Sequence, residues 1–233
     1  MTEIFGTTGN DLLFGTPEDD LIDLLEGNDD VVSAGEGNDT VSGGLGGDNI
    51  FGAAGNDSLL GGEGTDYIRA GEGNDAVDGG SETDVLYGED GDDSIYGREG
   101  DDVIFGDVDD ANGIGNDVLY GGNGSDRITG GKGDDSVYGK SDRDAVSGGF
   151  GDDLVRGGKD NDLVFGAFDN DLVYGDDGDD EVRCNFQLIS IADPNSTYTV
   201  HCRRQSAIPK ECRIGFADYL KPVEESNTTP NFV

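Results

Sequence analysis

GGNGSDRITGGKGDDSVY, residues 121–138, is one nine-residue unit written twice. Each copy has glycine at positions one, two and four, aspartate at six and an aliphatic residue at eight. Working outward in both directions, the aspartate recurs at Asp11, Asp20, Asp29, Asp39, Asp48, Asp57, Asp66, Asp75, Asp84, Asp93 and Asp102. It resumes at Asp117, Asp126, Asp135, Asp144, Asp153, Asp162, Asp171 and Asp180, which makes nineteen copies. Every copy keeps an aliphatic residue two places later, from Leu13 and Ile22 to Val173 and Val182. Two interruptions break the phase: one extra residue near Ser33, and the insertion GDVDDA at 106–111.

Position-specific chemistry predicts the shape of the unit. Glycine tolerates positive φ and close backbone approach, so the first six residues are expected to form a tight loop. The last three, often β-branched at the centre, are expected to form a very short strand. Side chains alternate along a strand, so position eight faces one side while seven and nine face the other. Position eight is always aliphatic and is therefore the inside. One unit alone buries almost nothing. Two units close an 18-residue turn of a flattened coil, and stacked turns pair their strands in parallel around a thin aliphatic core. The reading is all-β: a parallel β-roll of the right-handed parallel β-helix type. About nine turns at roughly 4.8 Å each give a body about 45 Å long over residues 1–183.

Composition sets a condition on that fold. The formal net charge is −38 and 42 of 233 residues are glycine. Such a chain repels itself at neutral pH and by composition alone reads as disordered. Folding therefore requires something that neutralises carboxylates. Phosphate backbones would be repelled, so nucleic acid is excluded as a partner. No apolar run reaches the roughly 18 residues that span a bilayer. MTEIFGTTGND (1–11) enters the first repeat with no basic start and no apolar stretch, so no secretory leader is expected there.

After Arg183 the period is lost and basic residues appear. NFQLISI (185–191) and TYTVHCR (197–203) alternate like half-buried strands. A stack of turns exposes its last member, so 184–233 is read as a small β-rich C-terminal cap with a flexible tail. The three cysteines, Cys184, Cys202 and Cys212, all lie here. Three thiols allow at most one internal disulfide, and spacing does not say which pair forms it.

The aspartates carry the chemistry. Stacking puts each one against its counterpart 18 residues away, as with Asp48 and Asp66 or Asp75 and Asp93. Two carboxylates at one strand spacing repel unless a cation lies between them. Calcium is a hard cation that takes six to eight oxygens from carboxylates and carbonyls. All nineteen aspartates are thus candidate calcium ligands, in about 17 gaps of which about 10 to 15 survive the interruptions. Metal binding should then be folding itself.

This unit, G-G-x-G-x-D-x-U-x, resembles the calcium-binding nonapeptide of the RTX (repeats-in-toxin) family across residues 6–183. The resemblance implies a parallel β-roll, calcium held by the aspartates and loop carbonyls, and folding after export to calcium-rich surroundings. It also implies export read from an uncleaved C-terminal signal, and hence a secreted or cell-surface protein. The chain departs from the pattern at position four, which is acidic at Glu18, Glu82, Asp142, Asp160 and Asp169.

Position nine is often aromatic: Phe14, Phe51, Tyr87, Tyr96, Phe105, Tyr120, Tyr138, Phe165 and Tyr174. These rings are expected to point outward in rows, as a platform for sugars or as cross-strand support. One histidine, outside the repeats, and no G-x-S-x-G or H-E-x-x-H argue against an enzyme. The function expected is a calcium-folded structural or interaction module, with extracellular polysaccharide or the cell envelope as partner. The alternatives are the non-catalytic carrier of a larger toxin or polysaccharide-active enzyme, and a carbohydrate-binding module.

Overall fold

The computed structural model of the chain describes residues 1–108, 113–184 and 199–202. Among these, every regular element is a β-strand and every pairing is parallel. Consecutive strands alternate between two sheets, one of ten strands and one of twelve, except at the short strand Gly35–Glu36 and the last strand, so each strand pairs with the strand one turn away. Val77 pairs with Ile95 and Leu86 with Ile104, which is the 18-residue turn read from the repeat.

Both interruptions are absorbed, and the ladders continue beyond them. Leu13 pairs with Val31 but Phe14 with Ser33, so the extra residue becomes a bulge. Across the insertion, Ile95 pairs with Leu119, and the ladder continues as before.

Strand length differs from the expectation. Most strands run six residues, not three: Ser94–Glu99 joins SIY to the first three residues of the following unit. The glycines at positions one and two do not end the strand. The neighbouring turns carry the same glycines, so the backbones stay close enough to continue the ladder on the far side of a bend. Tyr96 pairs with Tyr120, position one is skipped, and Arg98 pairs with Gly122. The true loop is only positions four to six.

The core is the position-eight column. Ile22, Ile50, Leu86, Ile95, Leu119, Val146 and Val182, with the other described side chains of that column from Ile22 onward, are buried; Leu13 in the first turn is partly buried, and Leu24, Ala34 and Ala70 join from position one. Burying each such side chain contributes roughly 1.5–3 kcal/mol, the main apolar term this glycine-rich chain has. Of the segment read as a cap, the described part is the strand Thr199–Cys202, which pairs in parallel with Glu181–Cys184. The strand expected at 185–191, the rest of the cap and Cys212 lie outside the described residues. No helix among the described residues is long and apolar enough to cross a membrane.

Candidate metal centre

The two sheets bring the nineteen aspartates into two columns, one along each edge. Asp20 opens a strand of the ten-stranded sheet, and Asp39, Asp57, Asp75, Asp93, Asp117, Asp135, Asp153 and Asp171 immediately precede its other strands. Asp11, Asp29, Asp48, Asp66, Asp84, Asp102, Asp126, Asp144, Asp162 and Asp180 precede strands of the other. From Asp20 onward all are buried.

A hydrogen-bond ladder runs the length of both columns. The backbone N–H of each aspartate donates to Oδ1 of the aspartate one turn later. Asp48 N to Asp66 Oδ1 is 2.8 Å, Asp75 N to Asp93 Oδ1 is 2.8 Å, and Asp93 N to Asp117 Oδ1 is 2.9 Å across the insertion. The sequence reading set two carboxylates against one another. The structure instead sets each carboxylate against its neighbour's amide, which leaves one oxygen per aspartate.

That second oxygen is the informative atom. From Asp29 to Asp180, Oδ2 of the column aspartates other than Asp48 is buried without a hydrogen-bond partner. A buried carboxylate oxygen left this way is costly unless something positive meets it. In these units, where position one is glycine, Oδ2 lies over that glycine, and Asp117 Oδ2 lies over Gly106 at the head of the insertion. A β-carbon built on Gly61 would stand 2.3 Å from Asp66 Oδ2 and 2.5 Å from the Gly79 carbonyl oxygen. On Gly130 it would stand 2.3 Å from Asp135 Oδ2 and 2.4 Å from Gly148 O. So an unpartnered carboxylate oxygen and a carbonyl from the next turn converge on a space that glycine leaves open. Two hard oxygens repeated at each level are the donor type calcium takes. Among the described residues no three acidic, histidine or cysteine side chains converge. A cation would therefore be held by column carboxylates and backbone carbonyls together, not by a cage of side chains.

The electrostatics agree. Burial pushes the carboxyls of Asp84, Asp93, Asp135 and Asp144 up to about 8, and those of Asp117, Asp126, Asp153 and Asp162 up to about 7. The amide bond to Oδ1 opposes the shift, and nearby acids, column neighbours among them, add to it.

The first turn is different. Position two is threonine in its two units. Thr7 donates to Asp11 Oδ2 from its N–H at 2.5 Å and its hydroxyl at 2.9 Å. Thr16 does the same to Asp20 Oδ2 at 2.6 and 2.9 Å, while the Thr2 N–H donates to Asp20 Oδ1 at 3.1 Å. Burial raises the Asp20 carboxyl, but these bonds outweigh it and hold the group below its ordinary value.

Three features were not read from the sequence. Asp107, at the start of the insertion, is buried. Its Oδ2 accepts the Lys132 N–H at 2.8 Å and its Oδ1 has no hydrogen-bond partner. The broken phase hid it among other insertion acids. Position five carries a second ladder, in which Asn74 N donates to Asn56 Oδ1 and Asn116 N to Asp92 Oδ1, each at 2.8 Å. The recurrence of Asn and Asp at that position was its signal. Left-handed backbone is the third: φ is 77° at Glu82, 75° at Asp142, 75° at Asp160 and 70° at Asp169, so position four keeps the glycine conformation at these acidic residues, though not at Glu18.

The position-nine rings do form rows. Tyr96, Tyr120 and Tyr138 stack at 5.0 and 4.9 Å with near-parallel planes. Lys140 Nζ lies 4.7 and 4.8 Å from the Tyr120 and Tyr138 centroids. The ring faces are thus turned on one another and on the lysine, the geometry of cross-strand support. Diagonal ion pairs, Arg98 to Asp78 and Arg156 to Asp176 at 2.6 Å, tie further turns together.

A family model of the RTX calcium-binding nonapeptide repeat, four copies long, matches residues 3–31, 27–59, 42–77, 51–85, 78–110, 112–146 and 147–182. Those matches cover most of the chain and overlap the stacked turns. No curated protein matches the sequence.

Proposed function

Because the chain belongs to the RTX calcium-binding nonapeptide-repeat family, we propose that calcium assembles its β-roll and that the assembled roll acts outside the cell as a structural or interaction module. The observation that carries this is the run of buried, unpartnered Oδ2 atoms between Asp29 and Asp180, Asp48 left aside. Without a cation these carboxylates must either take up protons or open the stack. Calcium outside a cell supplies the charge, so folding follows export and the chain stays extended before it. Asp29, Asp39, Asp48, Asp57, Asp66, Asp75, Asp84, Asp93, Asp102, Asp117, Asp126, Asp135, Asp144, Asp153, Asp162, Asp171 and Asp180 would hold the ions with loop carbonyls. Asp11 and Asp20 already have Oδ2 met by threonine. The roll has no catalytic role in this reading.

Circular dichroism during a calcium titration tests it, with magnesium as the control. The expected result is a cooperative gain of β signal with calcium and little response to magnesium, which demands a tighter octahedral site. A chain fully folded in chelator at neutral pH would refute the reading.

The partner reading is extracellular polysaccharide or the cell envelope. A groove of about 490 Å³ supports it, lined by Tyr96, Arg98, Tyr120, Asn123 and Lys140 on the ten-stranded face. Retention of the calcium-loaded protein on polysaccharide beads, lost in Y96A/Y120A/Y138A, is the expected result. Equal retention of wild type and variant would remove that face from the argument.

A further inference from the structure

The insertion carries an acid that no repeat position accounts for. Asp107 is only 5% exposed. Its N–H donates to the Gly130 carbonyl at 2.9 Å, and its Oδ2 accepts the Lys132 N–H at 2.8 Å. Glycine makes the room: a β-carbon on Gly131 would stand 2.5 Å from Asp107 Cβ. The other oxygen, Oδ1, is buried without a hydrogen-bond partner. A β-carbon on Gly113 would stand 3.2 Å from that Oδ1 and 3.3 Å from the Val108 carbonyl oxygen. Two hard oxygens therefore face one space, which Gly113, itself buried, leaves open. We propose that this space is a further calcium site, held by Asp107 Oδ1 and the Val108 carbonyl and separate from the two columns.

The nearest column site uses other atoms. Asp117 Oδ2 lies over Gly106, 2.1 Å from where a β-carbon would stand, with the Gly130 carbonyl oxygen at 2.4 Å from the same point. Each column carboxylate meets a carbonyl of the next turn. Asp107 meets instead the carbonyl of the residue that follows it. Asp107 and Val108 lead into the insertion and Gly113 leads out of it, so an ion here sits at the neck of the inserted loop. It would close the turn around the extra residues and let the ladder resume at Val118–Asn123.

Charge decides between a cation and a water molecule. Water would satisfy both acceptors but leave the buried charge uncompensated, which is costly. The charge around the space is large. Burial raises the Asp107 carboxyl, the Lys132 and Gly115 amides oppose that, and the Asp90 charge adds to it. Burial also raises Asp93, Asp117 and Asp135, and the Asp107 charge adds to each. Against these acids the Lys132 ammonium acts on Asp107 in the opposite sense. A divalent ion that accepts carboxylate and carbonyl oxygens at once supplies the rest. The identity of the ion rests on the calcium reading of the roll; the place rests on Asp107, Val108 and Gly113.

The test is an anomalous difference map from crystals of the full chain grown in calcium, for wild type and two variants. Wild type should show a peak about 2.3–2.6 Å from Asp107 Oδ1 and the Val108 carbonyl oxygen, apart from any peak on Asp117 Oδ2. Asp107→Asn keeps an acceptor for the Lys132 amide but removes the charge, and the peak should vanish. Gly113→Ala keeps the carboxylate and puts a methyl group in the ion's space. Gly113 lies outside the left-handed region, so its backbone takes alanine, and this variant serves if the first does not fold. In both, peaks along the columns should remain. Column peaks in wild type with water or nothing beside Asp107 Oδ1 would overturn this site alone. So would a peak that persists in either variant. A peak at Asp107 with none along the columns would keep this site and sink the column reading. A folded roll with no peak anywhere would sink both.

Discussion

The first turn and the middle turns share a backbone plan but close their carboxylates in opposite ways. At Asp20, Oδ2 accepts two bonds from Thr16 and Oδ1 one from Thr2, and the acid is held below its ordinary value. At Asp93, Oδ1 accepts the Asp75 amide, Oδ2 accepts nothing, and burial pushes the acid up to about 8. The difference lies at position two, threonine in one case and glutamate in a left-handed conformation in the other. A hydroxyl and an amide do for the first turn what a cation must do for the middle. One end of the roll is thus closed by hydrogen bonds, and the rest is closed by whatever positive charge the surroundings provide.

Removing calcium should expose that contrast most strongly. In chelator at pH 7 the central strands should lose their amide protection in hydrogen exchange, and far-UV dichroism should lose most of its β signal. Equal protection with and without calcium would erase the distinction between the turns.

Acid should restore much of what chelation removes. The interior carboxyls have folded values raised to between about 6 and about 8, above the unfolded value near 4. A raised group binds its proton more tightly when folded, so its contribution is fully present below about pH 4 and is lost as pH rises through 6 to 8. Metal-free chain should therefore gain β signal as pH falls from 8 to 4. Asp20, with a lowered value, runs the other way, and its contribution fades on acidification. A metal-free chain equally unfolded at pH 8 and pH 4 would contradict the burial of these acids.

Single substitutions sharpen the comparison. Asp93→Asn keeps an acceptor for the Asp75 amide but removes the buried charge. It should raise the calcium midpoint several-fold and stabilise the metal-free chain at pH 8. Asp20→Asn puts an amide donor against the Thr16 donors or forfeits their bonds, at a cost of about 1–3 kcal/mol, with the number of calcium ions bound unchanged and the midpoint raised only by that lost stability. The paired result is read from denaturant melts and calcium titrations of the two variants. Matching effects in both would show that the two sites work alike. The smallest change is Thr16→Ala, which loses the hydroxyl bond but keeps the backbone N–H. It should cost about 1 kcal/mol, leave the number of bound ions unchanged and move the calcium midpoint least of the three.

Much of this was legible in the repeat. The unvarying aliphatic at position eight gave the core, and the 18-residue pairing gave the parallel stack and both aspartate columns. What was missed depends on the neighbouring turn and not on the local sequence. Glycine at positions one and two reads as loop within a single unit, yet the same glycines 18 residues away turn it into strand. The placement of Oδ1 on a neighbour's amide needs the stagger between turns, which spacing alone does not fix. Thr7 and Thr16 stand where most units carry glycine, and only their bonds to Asp11 and Asp20 mark them out. Asp107 lies in the insertion, where the phase that identified the other acids is lost.

The most direct test is a crystal structure of the calcium-loaded protein with anomalous scattering used to place the ions. The account predicts ions within about 2.3–2.6 Å of Oδ2 along the columns from Asp29 and Asp39 onward. It predicts none at Asp11 or Asp20, where threonine stays bound. Ions seated on the first-turn aspartates, or interior Oδ2 atoms with no ion beside them in a folded roll, would contradict it.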